Sequence, residues 1–218
     1  MRKPKIRPLN NNTVAVIGEG ITETYYLQSL KGLLSCTIEP SVPKHSQGLK
    51  YLDNKIKECI YKGYSKIYCL IDMDTKVSNP QEMQRYNKFK SKYHARLVNH
   101  KGQKSEIFIV ETLPCTELWF YYYFKTTSKL YQSYDTQHPL KPDLLSCLPE
   151  YEKTEKFFKK CGGLHDYITL NKGNIENAMR HASQINEDRI QTNGGGSYSE
   201  IYLFLEKHLK KQNLAMII

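Results

Sequence analysis

Two aspartates close a short apolar run, Ile67-Tyr68-Cys69-Leu70-Ile71-Asp72-Met73-Asp74. A run of this length and character reads as a strand buried on both faces, as in a parallel sheet. Sites in such sheets form where the carboxyl ends of strands open into a crevice. If the extended conformation carries through Met73, Asp72 and Asp74 point to the same side. Two carboxylates side by side repel, and burial raises their pKa values unless a cation joins them. Oxygen ligands of this kind suit Mg2+ or Mn2+. The same residues also suit a strand that ends in a polar turn, with Asp74 capping the next element. Spacing alone leaves both readings open.

A further acid, Glu19, lies between two glycines directly after the apolar run Thr13-Val14-Ala15-Val16-Ile17. Glycines on both sides let the backbone turn sharply and leave space for a phosphate or metal to approach. In a doubly wound sheet of order 2-1-3-4, the first and third strands are neighbours, so Glu19 faces the aspartate pair across one crevice. Glu19, Asp72 and Asp74 then form a candidate catalytic and metal-binding set. A cation held there would polarise a phosphoryl oxygen and generate a nucleophilic water. A dinucleotide fingerprint is disfavoured, because the third glycine of Gly-x-Gly-x-x-Gly is replaced by Glu23, whose charge opposes a pyrophosphate. The Lys-Ser/Thr ending of a Walker loop is missing as well.

The elements that must position these acids can be read from periodicity. The pattern predicts strands at 13–17, 35–42, 66–71 and 106–110, and helices at 22–34, 46–62 and 80–93, with the bulky run 117–124 forming another. Strand–helix alternation of this kind gives an α/β fold with a mostly parallel four-stranded sheet, helices on both faces and right-handed crossovers. Residues 13–125 are expected to form this catalytic domain, preceded by a basic tail at 1–12. Residues 126–218 read as a helical extension packing on it, with helices at 149–160, 174–190 and 199–211 and no strand. Ser197 and Glu200 have capping-box spacing at the start of the last of these.

Composition narrows the partners. With 32 Lys+Arg against 22 Asp+Glu, the 218-residue chain carries a formal charge of +10. Such an excess favours polyanions, nucleic acid above all, although it serves solubility equally well. Lys88, Lys92 and Lys153, in the lysine-rich segments 88–104 and 153–160, are candidates to contact phosphate. The six cysteines include no Cys-x-x-Cys pair and the histidines no metal array, which disfavours a structural zinc site and fits reduced thiols. No segment approaches the ~20 apolar residues of a membrane span, and no secretory signal succeeds the basic start, so a soluble cytoplasmic protein is expected.

The motifs themselves resemble known families. A Glu in a Gly-Glu-Gly turn after strand one, with Asp-x-Asp after strand three, resembles the Toprim fold of topoisomerases, primases and overcoming-lysogenization-defect nucleases. Gly18-Glu19-Gly20-Ile21-Thr22-Glu23-Thr24-Tyr25-Tyr26 is similar to the GEGxTExxYF start of RloB-like proteins. Pro114-Cys115-Thr116-Glu117-Leu118-Trp119-Phe120 is similar to their PCFExW element, and Tyr151-x-Lys153 to a later one. Departures are Thr116 in place of a phenylalanine, Leu113 in place of an asparagine, and Asn193-Gly194-Gly195-Gly196 in place of an Asn-Pro turn. The resemblance implies a metal-dependent nuclease acting on DNA or RNA, tRNA included, as effector in prokaryotic antiphage defence. An ATPase partner subunit is implied, and a homo-oligomer is compatible. A different class also fits: a non-catalytic, Toprim-shaped sensor subunit. Glu23 and Glu117 are then acids supporting the site or merely first-turn helix charges. Trp119, Tyr25 and Tyr26 are expected to pack in the core.

Overall fold

The computed structural model describes residues 13–38, 48–192 and 195–210. The first half runs β1 (Val14–Gly18), α1 (Ile21–Ser29), β2 (Thr37–Ile38), α2 (Gly48–Lys62), β3 (Lys66–Asp72), α3 (Asp74–Ser78) and α4 (Pro80–Tyr93). A hairpin of β4 (Arg96–His100) and β5 (Gln103–Leu113) comes next, then α5 (Glu117–Tyr122). The rest comprises α6 (Lys141–Leu145), α7 (Glu155–Lys160), α8 (Leu164–Leu170), α9 (Ile175–Thr192), β6 (Tyr198–Ser199) and α10 (Ile201–His208). The basic tail at 1–12, the end of the expected second strand, and Asn193-Gly194 lie outside the described residues.

The sheet has the order β2-β1-β3-β5-β4, with β6 also on β5. β1, β2, β3 and β5 are parallel, in the neighbour order expected for the four strands legible in the sequence. The sheet as a whole is mixed, however, because β4 and β6 run antiparallel to β5. That corrects the expected four-stranded, mostly parallel sheet. β4 turns into β5 through Lys101 and Gly102, both at positive φ (51° and 84°), the conformation a tight two-residue hairpin needs.

The parallel strands bury both faces. Val16, Tyr68, Leu70 and Val110 face a cluster with α1 and α5. Ala15, Ile17, Ile67, Cys69, Ile71 and Ile109 face α2 and α4 on the other side. Tyr151, Phe158, Leu164 and Phe204 from the later part of the chain belong to the first of these clusters. On β5, Glu111 accepts hydrogen bonds from Tyr86 and Lys90 of α4 and from Tyr198 of β6.

Several boundaries depart from periodicity for local reasons. α7 starts at Glu155 because Thr154, extended at φ −133° and ψ 146°, caps it by accepting from the Phe157 N–H at 3.2 Å. Ser197 forms no capping box. Its hydroxyl accepts from the Tyr131 N–H at 2.7 Å, and α10 begins beyond it with Glu200 at the cap. All six cysteines are free thiols. No helix among the described residues is long and apolar enough to cross a membrane.

Candidate functional site

β1, β3 and β5 end at one edge of the sheet. Gly18 pairs with Leu70, and Asp72 with Thr112. The Glu19 N–H continues the ladder by donating to the Leu70 carbonyl at 3.2 Å. Between β1 and α1 the chain folds so tightly that a Cβ on Gly18 would stand 2.4 Å from the Glu23 Cβ. Only glycine admits that approach, and it delivers Glu23 back to the strand end. There one Glu23 oxygen accepts the Gly20 N–H at 2.6 Å, and the other faces the Thr116 hydroxyl at 2.8 Å.

Thr116 stands between two acids. Its hydroxyl oxygen is also 2.8 Å from Asp72 Oδ1, which in addition accepts the Thr116 backbone N–H at 2.8 Å. A hydroxyl has one proton to give. Both short contacts are satisfied together when Asp72 is neutral and donates to Thr116, which donates on to Glu23. Electrostatics agree: burial first, then Glu23, Glu117 and Glu19, push the Asp72 carboxyl well above the ordinary aspartate range, with Lys153 opposing.

Glu19 has a resident cation. The Lys76 ammonium lies 2.9 Å from each Glu19 carboxylate oxygen and 2.7 Å from the Asp72 carbonyl. Lys76 is 3% exposed and comes from α3, the helix that starts directly after Met73. Burial raises the Glu19 carboxyl, and Lys76 restrains the rise. On the other flank Glu117, fully buried, accepts from Lys153 Nζ and Tyr151 OH at 2.9 Å each, and from the Thr22 hydroxyl at 3.3 Å. Its burial would raise the carboxyl, but Lys153 overrides that and holds it below the usual range. The Lys153 ammonium also lies 5.2 Å from the Tyr134 ring centroid.

The residues singled out in the sequence therefore divide. The Glu19 carboxylate and the Asp72 backbone carbonyl meet on one ammonium, while the Asp72 side chain turns to Thr116 and is crowded by the charges of Glu23 and Glu117. Asp74 is placed differently. Met73 adopts helical backbone (φ −103°, ψ −8°), so the strand does not continue and the aspartates do not share a strand face. Asp74 Oδ1 accepts the Thr75 N–H at 2.6 Å in the first turn of α3. Lys153 is no solvated helical lysine, since it precedes α7 and is committed to Glu117. Lys92 lies far along α4, paired with Asp53 at 2.6 Å, and Lys88 is exposed on the same helix. Tyr26 and Trp119 are core residues joined by a 2.6 Å hydrogen bond, and Tyr25 packs on Phe158.

Sequence reasoning missed Lys76 and Thr116. The signal for Thr116 was its departure from the phenylalanine of the resembled element; a hydroxyl there serves the acids directly. Lys76 left no signal beyond being the first lysine after the aspartates.

Once Asp72 ionises, Glu19, Glu23, Asp72 and Glu117 carry four formal negative charges against two positive ones on Lys76 and Lys153. A divalent cation would offset the surplus, and carboxylate oxygens are its preferred donors. The chemistry of the donor set thus fits Mg2+ or Mn2+. The geometry is not pre-assembled: among the described residues no three acids, histidines or cysteines are grouped to hold an ion. Compared with models of protein families, residues 14–207 match that of the RloB-like proteins. No curated protein and no solved structure matches the chain.

Proposed function

Since the chain belongs to the RloB-like protein family, we propose that it is a Mg2+- or Mn2+-dependent phosphodiesterase that cleaves nucleic acid. The observation that carries this reading is the convergence of Glu19, Glu23, Asp72 and Glu117 at neighbouring strand ends of a basic chain, with the Asp72 carboxyl buried among them. Asp72 and Glu19 would hold the ion, with Asp74 at the mouth of the site. When bound, the ion supplies Lewis-acid polarisation of the phosphoryl oxygen and a water of lowered pKa.

The chain's own groups do the positioning. Thr116 fixes the Asp72 carboxyl through its N–H and hydroxyl and links it to Glu23. Lys76 holds the Glu19 carboxylate by both oxygens. Glu117 holds the Lys153 ammonium, one-third exposed, where it can meet a phosphate. The family resemblance suggests an effector role in prokaryotic antiphage defence beside an ATPase subunit. One observation favours a second reading, a non-catalytic sensor subunit: the Lys76 ammonium already occupies Glu19, as a permanently filled site would have it.

The deciding experiment incubates the full chain with single- and double-stranded RNA and DNA, with Mg2+, Mn2+ or EDTA, alone and with any ATPase encoded beside it. Metal-dependent cleavage that disappears in Asp72→Asn is expected. Binding without cleavage under every condition would favour the sensor and end the nuclease reading.

A further inference from the structure

Beside the carboxylate cluster opens a groove of about 750 Å3. Asp74 and Lys153 line it, so it is continuous with the site. α3 contributes Val77 to its lining, and the segment 130–137 contributes Leu130 and Tyr134. We infer that this groove seats one unpaired nucleobase of the polynucleotide whose phosphate reaches the carboxylates; the inference rests on the reading above and gives it a substrate class.

Size agrees, since small-molecule sites span ~300–1,000 Å3. Surface character agrees more specifically. Val77 and Leu130 are large apolar side chains left 53% and 51% exposed, and both line this groove. A flat ring against them would remove that surface from water. The rim is different in kind: Gln132 and Gln137 are exposed, and an amide offers donors and an acceptor at once, as a base edge requires. Charge excludes the alternative of a phosphate seat. Asp74 and Asp135 outnumber Lys153 in the lining, so the groove disfavours an anion while accepting a neutral base.

The segment is also braced before any ligand arrives. Ser133 Oγ accepts from the Thr136 N–H at 3.0 Å and the Thr136 hydroxyl at 2.9 Å, and donates to the Gln137 carbonyl at 3.0 Å. The Gln132 N–H donates to the His138 carbonyl at 3.2 Å. Little ordering is then left to oppose binding. A base inside a duplex presents no face to such a groove, so the substrate is a single strand or a loop, where unstacked bases are free.

The test measures fluorescence anisotropy of a labelled single-stranded oligonucleotide, and of its fully paired duplex, with the full chain in EDTA. The single strand should bind more tightly, and Leu130→Ser should weaken it roughly 10-fold, the scale of one buried aliphatic side chain. The duplex affinity and the melting temperature of this surface variant, which adds no charge, should stay unchanged. Moving a single abasic nucleotide along the strand should reproduce the loss at one position in wild type and at none in Leu130→Ser. Equal affinity for both forms, or indifference to Leu130→Ser and to the abasic position, would overturn the seat. Adding Mn2+ separates the two ideas. Strand preference without cleavage ends the nuclease reading and keeps the seat; cleavage indifferent to Leu130 does the reverse.

Discussion

Asp72 and Lys76 carry opposite consequences for the stability of the metal-free protein. A carboxyl whose folded pKa lies above its unfolded value contributes stability below the unfolded value, near 3.9, and loses it as pH rises through the folded value. Burial and the neighbouring acids place Asp72 in this class. Asp72→Asn should therefore match wild type in EDTA near pH 4 and melt progressively higher than it towards pH 8. A gain on the order of 1 kcal/mol would appear as about 2–4 °C. A capping or merely hydrogen-bonded aspartate predicts the reverse, a lower melt at neutral pH. Lys76→Met should act the other way, because it strands Glu19 partly buried without its cation. Breaking a buried pair costs about 3–5 kcal/mol, so a drop of roughly 6–20 °C is expected at pH 7. Adding Glu19→Gln should recover most of it; a drop that persists in the double variant would mean Lys76 acts through packing alone. Glu19 and Asp72 were legible in the sequence because each ends an apolar run, and strand ends converge. Thr116 and Lys76 were not, because a hydroxyl and a lysine acquire these roles only when β5 and α3 bring them to the strand edge. Of the two readings open for Asp74, the first turn of the next element is the one the backbone adopts, because alternation of side chains holds only while the strand lasts and Met73 is already helical.

Among the elements, the β1–α1 turn bears most of the site's geometry. Gly18→Ala would set a methyl 2.4 Å from the Glu23 Cβ, an atom too near the backbone to swing aside. The substitution should cost about 1–3 kcal/mol, typical of overpacking, read as a lower denaturant midpoint at unchanged slope. It should also weaken any metal-dependent stabilisation, since α1 must shift and take Glu23 away from Thr116. Unchanged stability would show that α1 can move freely and that the turn does not place the acids. The same physics explains which elements the sequence revealed. β1, β3 and β5 are apolar on both faces and therefore read as continuous runs. β4 has a solvated face, with Leu97 61% exposed among polar residues, so it was hidden within the lysine-rich segment 88–104. β6 is too short to show any period, and its Tyr198 declares itself only by reaching Glu111 across the sheet.

For the molecule as a whole, the formal charge of +10 overstates what is free to meet a polyanion. Lys55, Lys57, Lys92 and Lys129 pair with carboxylates at the protein's own surface, Lys90 with the buried Glu111, and Lys76 and Lys153 with the acids of the site. Lys88 and Lys104 are exposed and without an ion pair among the described residues. These are the groups expected to track phosphates, while the groove beside Asp74 reads a base. The two roles separate by salt. Releasing counterions from a single strand gives a slope of about −0.7 per phosphate contact, so about four contacts predict a loss of roughly 50-fold between 50 and 200 mM salt. Lys88→Glu with Lys104→Glu should flatten that slope and weaken all sequences alike. Leu130→Ser should lower affinity at every salt concentration and leave the slope where it was. A slope near zero in wild type would mean that the basic excess is a solvated face and that base contact alone holds the strand. A slope that is steep yet unmoved by the double charge reversal would shift the phosphate path away from α4 and the β4–β5 hairpin, towards the exposed lysines of α7.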